Sequence, residues 1–248
     1  MSSYDVLAQC YDSLTTDVDY PGWADYIESV FRRTGRRVNT VLDLACGTGS
    51  LACILAQRGY DVIGVDKSEE MLAEAFDKSM ELEGGHPMFL EQSMEELDLY
   101  GTVDAAVCCL DSVNYVTDRD ALQEAFNRVH TFLEPGGIFV FDINSPEKFR
   151  LMDGEIYMDE TDDVCCIWRV DVEEKICTYC MDIFRRSGKL WSRDTEIHEE
   201  RVYSPEEILE MLRGAGFIDS EIFGDRSAAP PEKGELRLFF VARKEELQ

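Results

Sequence analysis

At 248 residues the chain can bury one substantial core, or one core with a small appended domain. Its 45% hydrophobic and 30% charged residues are ordinary for a globular protein, no uncharged apolar run approaches the roughly 18 residues of a membrane span, and Met1–Asp5 lacks the features of a secretion signal. The 51 acidic against 24 basic residues give a net charge of −27, which argues against nucleic acid or an anionic membrane as partner, because phosphate binding draws on Lys and Arg.

Trp23, Ile27, Val30 and Phe31 recur at helical spacing, which predicts an amphipathic helix over residues 21–33. Arg32-Arg33 with Arg36-Arg37 falls at its C-terminal end, where the helix dipole favours cations. Strands and helices then alternate. Val38–Ala45, Asp61–Asp66, Met88–Gln92, Val103–Leu110 and Ile138–Ile143 are apolar runs of strand length. Helical patterns separate them: Leu51/Ile54/Leu55, Met71/Leu72/Ala75/Phe76 and Leu122/Ala125/Phe126/Val129. Such alternation predicts βαβ units and a parallel sheet covered on both faces.

Residues 155–203 break the pattern. Val164–Val172, Lys175–Phe184 and Leu190–Val202 follow one another without helices, and Ser187-Gly188 supplies a hairpin turn, so an inserted antiparallel meander is expected. Ser204-Pro205-Glu206-Glu207 then reads as a helix start, with Ser as N-cap, Pro at the first position and Glu closing a capping box. That helix should end near Gly214–Gly216, before two closing strands, Phe217–Phe223 and Leu236–Ala242.

The nine cysteines, several in apolar runs such as Cys108-Cys109 and Cys165-Cys166, read as small hydrophobes in a reducing, cytoplasmic setting. Cys177 and Cys180 have the C-x-x-C spacing of zinc and redox sites. No second pair accompanies them, and positions i and i+3 of a strand face opposite sides, so no metal is expected.

The informative segment is Val41-Leu42-Asp43-Leu44-Ala45-Cys46-Gly47-Thr48-Gly49-Ser50, a strand running into a small-residue turn that opens a helix. Gly47 and Gly49 remove side chains where the backbone must turn and a ligand approach closely, although a plain strand–helix turn also uses glycine. Asp66 ends the second strand, where a carboxylate accepts the ribose hydroxyls of an adenosine cofactor. Gly47-x-Gly49-x-x-Ala52 also fits a dinucleotide site, but Asp43 beside the turn would repel a pyrophosphate. It would favour S-adenosylmethionine (SAM), which carries a sulfonium and an α-ammonium and no phosphate. Without G-K-[ST] there is no P-loop.

Val41–Gly49 followed by Val62-Ile63-Gly64-Val65-Asp66-Lys67-Ser68 resembles motifs I and II of class I SAM-dependent methyltransferases. Glu91-Gln92-Ser93-Met94 resembles their adenine-bracketing segment, and Phe132–Ile138 the loop before their fifth strand. Ala45 stands where the first motif glycine usually is, and Ser93 where family members often have Asp. The N-terminal Tyr4, Tyr11-Asp12, Tyr20 and Trp23, with the meander, resemble small-molecule methyltransferases of the bacterial YqeM type.

The resemblance implies an α/β, Rossmann-like, doubly wound and mostly parallel seven-stranded sheet with a small antiparallel β lid. Residues 1–34 would form a helical cap, 35–149 with 204–248 the SAM-binding domain, and 150–203 the lid and substrate module. SAM would be held by Tyr11, Trp23, Asp43, Ala45, Gly47, Gly49, Asp66, Ser93, Met94 and Leu110. The partner would be a small-molecule acceptor, methylated on N, O or C.

Transfer to an activated carbon relies on positioning, and an amine or hydroxyl nucleophile also invites a base. His86, in a Gly-rich loop, and His130, in a crossover helix, read as structural. His198, between Glu196 and Glu200 on the meander, is the candidate base, set against a plain solvated strand face. Asp111 and Asn114 follow the fourth strand at the ligand-binding edge and are candidates for shaping the substrate or methionine pocket. A nucleic-acid methyltransferase, a SAM-binding regulatory protein without turnover and an NAD-dependent oxidoreductase are the alternatives.

Overall fold

Two sheets organise the chain in the computed structural model, which describes residues 7–246; Tyr4 lies outside them. Strands β1 (Thr40–Leu44), β2 (Asp61–Asp66), β3 (Met88–Glu91), β4 (Val103–Cys108) and β5 (Leu133–Asn144) run parallel. The antiparallel pair β10 (Asp219–Phe223) and β11 (Arg237–Arg243) completes the order β10-β11-β5-β4-β1-β2-β3. This is the expected Rossmann-like arrangement. The strand order reverses between β1 and β4, and the carboxyl ends of those strands are where such a sheet binds ligands.

Alternation along each strand supplies both faces. Val41 of β1 and Phe239 of β11 pack with α2 (Tyr20–Thr34) and α3 (Ser50–Gln57), which lie on one side. Leu42, Leu44, Phe141 and Phe240 point to the other side, onto α5 (Arg119–Phe132) and α7 (Pro205–Ala215). The helices stop and start where their sequence says. Asp19 accepts from the Gly22 amide at the head of α2, and Gly35 ends it in the left-handed conformation just after Arg32 and Arg33. Ser204 and Glu207 form the full capping box on α7.

The fifth strand begins at Leu133, not Ile138. Val103 pairs with Leu133, the ladder is then interrupted, and it resumes at Ala105 with Ile138; Gly136, at φ 73°, lets the chain pass this irregularity.

The insert is a four-stranded antiparallel meander: β6 (Ile156–Glu160), β7 (Val164–Glu173), β8 (Ile176–Ser187) and β9 (Leu190–Arg201). The edge strand β6 was not evident in sequence because it is almost wholly exposed and has no buried alternation. On the insert's inner face, Cys166, Tyr179, Met181 and Ile183 pack on Leu7 and Cys10 at the start of α1 (Ala8–Leu14) and on Phe149 of α6 (Pro146–Met152). No described helix is long and apolar enough to cross a membrane.

Candidate active site

The turn from β1 to α3 is built from three residues in the left-handed region: Ala45 (φ 56°), Gly47 (φ 54°) and Gly49 (φ 70°). The Cys46 amide donates to Val65 O at 2.9 Å and the Gly49 amide to Cys46 O at 2.9 Å, which closes the loop against β2. The two glycines have different reasons. A Cβ on Gly47 would meet nothing within 4 Å, so its backbone stands open, whereas one on Gly49 would come within 2.8 Å of Ala75 Cβ on α4 (Glu69–Met80). Gly47 lines the cavity described next; Gly49 does not, and serves the turn and the α3–α4 packing.

A cavity of about 630 Å³ lies between the carboxyl ends of the parallel strands and the inner face of the insert. Tyr11 and Trp23, from α1 and α2, wall it on the N-terminal side. Asp12 fastens α1: it accepts from Thr48 Oγ1 at 2.7 Å and pairs with Lys78 Nζ at 2.7 Å, and Lys78 also donates to Ser50 Oγ at 2.6 Å.

Asp66 accepts from the Gly47 amide at 2.8 Å and the Ser68 amide at 2.9 Å. A carboxylate offers about four acceptor positions, so it retains capacity for hydroxyls of a ligand. Burial raises its pKa, and those two amides oppose the rise. Asp43 is only 2% exposed, lines the cavity, and no described residue hydrogen-bonds its Oδ2. Burial, and then the Asp66 charge, push its carboxyl up to about 7. A buried acid in that condition suits a cationic ligand. Ser93 and Met94 form part of the rim after β3, with Ser93 Oγ donating to Glu96 at 3.0 Å.

After β4 the chain takes two consecutive left-handed residues, Leu110 (φ 60°) and Asp111 (φ 54°), and both line the cavity. The turn is held from behind. The Asp111 amide donates to Asp142 Oδ2 at 3.0 Å, and Arg237 binds Asp142 and also Asp111 Oδ1, the latter at 2.7 Å. Burial raises Asp142, and Arg237 offsets this only in part. Burial also acts on Asp111, but Arg237 and Lys148 outweigh it and hold the carboxyl below its ordinary value.

Asn114, expected at the pocket, is turned away from it. The 3-10 turn Ser112–Tyr115 rotates it inward, where it donates to Arg201 O at 2.9 Å and accepts from the Asn144 amide at 3.0 Å. It fastens the insert to the main sheet and does not line the cavity.

The far wall is the insert. Trp168, Tyr179, Met181, His198 and Glu200 all line the cavity. The solvated reading of the Glu196–Glu200 face does not hold, because His198 is 1% exposed and Glu200 2%. His198 Nε2 lies 2.9 Å from Glu196 Oε2, and Glu196 Oε1 accepts from the Leu7 amide at 3.0 Å. Asn144 donates to Glu200 Oε2 at 3.1 Å. Burial, then the charge of Asp111, raise the Glu200 carboxyl well above its usual value.

The remaining histidines and the C-x-x-C pair lie elsewhere. His86 Nδ1 is 2.8 Å from Ser79 O, and the His130 ring packs edge-on against Phe217. Cys177 is buried in the core beneath the insert, while the Cys180 Sγ accepts from Arg169 Nη2 at 3.3 Å.

Sequence reasoning missed Asp142, Lys148, Glu200 and Arg237. A charged residue inside the apolar run Phe139–Ile143 was the available sign for Asp142, and the strict Glu-x-His-x-Glu alternation for Glu200. Nothing local marks Lys148 or Arg237.

Residues 41–137 match a family model described as a methyltransferase domain. Over 246 residues the chain is 35% identical to YqeM of Bacillus subtilis (strain 168), a protein assigned by name to the methyltransferases, with 97% of each chain covered. The crystal structure of an S-adenosylmethionine-dependent methyltransferase from Clostridium acetobutylicum ATCC 824 superposes with a TM-score of 0.88 at 32% identity, over 98% of this chain and 99% of that one. That of the sugar N-methyltransferase KedS8 from Streptoalloteichus sp ATCC 53650 gives 0.82 at 25% identity, over 99% and 97%.

Proposed function

Since the chain belongs to the SAM-dependent methyltransferases of the YqeM type and takes SAM as cofactor, we propose that it methylates N, O or C of a small molecule held beneath the insert. One observation carries this reading. A single cavity has the glycine turn, Asp43 and Asp66 at one end and His198, Glu200 and Tyr179 at the other. Its volume is within the range of small-ligand pockets.

SAM, when bound, supplies a methyl group already activated on a sulfonium. The chain's own residues do the rest. Asp66 would receive the ribose hydroxyls, Ser93 and Met94 would flank the adenine, and Gly47 and Ala45 would admit the ligand close to the backbone. Asp43 and the Leu110 turn would hold the charged methionine end, and Tyr11 and Trp23 would cover it. Residues 1–34 act as a cap and residues 150–203 as the lid that carries the acceptor. Asp111 shapes the acceptor pocket, and Asn114 acts through the Arg201 and Asn144 backbones. His198, oriented by Glu196, takes the proton the nucleophile must lose. Exclusion of water and fixed orientation supply the larger part of the acceleration.

The test is to incubate the protein with SAM and a size-fractionated extract of small metabolites, or with RNA and DNA, and follow release of S-adenosylhomocysteine. Release with the low-mass pool alone is expected. Release only with nucleic acid would overturn the small-molecule reading, and SAM binding with no release in any pool would favour a regulatory protein.

A further inference from the structure

The acceptor end of the cavity has a chemical signature of its own. The carboxylates Asp111 and Glu200 and the cations Arg237 and Lys148 line it, and Asp142 lies buried behind them. Arg237 is engaged by both aspartates, and Lys148 Nζ donates to Asn144 Oδ1 at 2.8 Å. Glu196, which does not line the cavity, is hydrogen-bonded to His198 Nε2 and to the Leu7 amide. Arg237 thus serves the two aspartates, while Glu200, buried and facing the cavity, makes no salt bridge among the described residues and has only the more distant charge of Lys148 to offset its own.

A buried carboxylate without a cation in contact is costly, and two things relieve it: a proton, or a cation brought by a ligand. Burial, which raises the Glu200 carboxyl, acts in the direction of the first. The surroundings favour the second. Trp168 and Tyr179 meet at 84° with centroids 6.5 Å apart, and Tyr115 stands at 83° to the His198 ring, 6.1 Å away. Trp168, Tyr179 and Tyr115 all line the cavity, and an aromatic ring attracts a cation that reaches its face. A carboxylate or phosphate group on the acceptor would instead meet Glu200 and Asp111 as like charges.

We infer that the acceptor is an amine, drawn in as its ammonium ion by the Glu200 carboxylate among the rings of Trp168, Tyr179 and Tyr115; the nitrogen then gives one proton to His198, which frees its lone pair to form the new N–C bond as the S–C bond breaks and S-adenosylhomocysteine leaves. This rests on the reading of the cavity as a methyl-transfer site, and it names the substrate class that reading leaves open. The ammonium fills the charge deficit that the folded chain leaves at Glu200. A neutral hydroxyl compound of the same shape would fit the space and leave the deficit in place.

The experiment uses the full chain and probes of one shape and three charges: cyclohexylamine, cyclohexanol and cyclohexanecarboxylate. Binding of S-adenosylhomocysteine is first measured by calorimetry. Each probe is then titrated into the S-adenosylhomocysteine-saturated protein by saturation-transfer NMR. Cyclohexylamine should bind at least tenfold more tightly than cyclohexanol, with cyclohexanecarboxylate weaker still. Glu200→Gln should bring the amine to the level of the alcohol, while Glu199→Gln, on the exposed face of the same strand, should leave the ranking unchanged. If Glu200→Gln does not fold, the wild-type ranking alone decides. Equal binding of amine and alcohol, tighter binding of the carboxylate, or an amine preference that survives in folded Glu200→Gln would overturn the inference while leaving the methyl-transfer reading standing. Failure to bind S-adenosylhomocysteine would instead sink that reading.

Discussion

Asp43→Asn exchanges one buried oxygen for an amide nitrogen and removes a charge that the ligand-free fold accommodates poorly. The carboxyl has an ordinary value of 3.8 and is raised to about 7 in the fold. Its contribution to stability is therefore fully present below pH 4 and is lost as pH rises through 7, because the folded chain holds the proton that the unfolded chain releases. The gap corresponds to about 4 kcal/mol withheld from the wild type above pH 8. Chains of this size shift by roughly 2–4 °C per kcal/mol, so the Asn variant should melt about 8–16 °C higher at pH 8, the gain shrinking towards zero at pH 4. SAM binding should move the other way. Losing a charge-assisted contact costs about 1.5–3 kcal/mol, or about ten- to a hundredfold in affinity. In the wild type, SAM affinity should rise with pH up to about 7 and then level off, as binding drives the last of the Asp43 proton off. Thermal melts from pH 4 to 8.5 and calorimetric titration with SAM measure both halves. A variant that melts with the wild type at pH 8 and binds SAM equally well would refute the argument that Asp43 is an acid waiting for a cation.

Asp66→Ala should weaken SAM at least tenfold by calorimetry with the far-UV circular dichroism retained, from about 1.5–3 kcal/mol of lost charge-assisted hydrogen bonding; unchanged affinity would remove Asp66 from the ribose. His198→Ala should lower the turnover number at least a hundredfold with SAM affinity unchanged, general-base contributions being typically about 10²–10⁴; a loss under tenfold would leave proximity as the source of catalysis. Arg237→Met leaves Asp111 and Asp142 buried without their cation and should cost about 3–5 kcal/mol in urea unfolding at pH 8. Without the cation Asp142 rises further and Asp111 loses what holds it down, so the loss should be smaller at pH 5; a pH-independent loss would mean that only packing was removed.

The sheet was legible because βαβ units are local: each strand, turn and helix is written within about thirty residues. The glycine turn was legible for the same reason, and so was Asp66, whose carboxylate lies 19 positions from the Gly47 amide it accepts from. Arg237 stands 126 positions from Asp111, and only the return of β11 beside β5 joins them. Asn114 sits where the fold places ligand-binding residues, at the end of β4, yet one short turn decides between cavity and interior, and no sequence period encodes that choice. The Glu196–Glu200 face was ambiguous in a different way. Alternating polar residues read alike whether water or protein lies opposite, and what lies opposite here is α1, encoded at the other end of the chain.

Helix α1 bears on both ends of the cavity. Asp12 ties it to Thr48 and Lys78 beside the glycine turn, and the Leu7 amide at its head donates to Glu196, the partner of His198. A ligand at either end therefore meets the same seven-residue segment. A shift of that segment in answer to one ligand would reach the other through these same contacts. Any coupling carried this way is reciprocal: the factor by which cofactor tightens acceptor is the factor by which acceptor tightens cofactor.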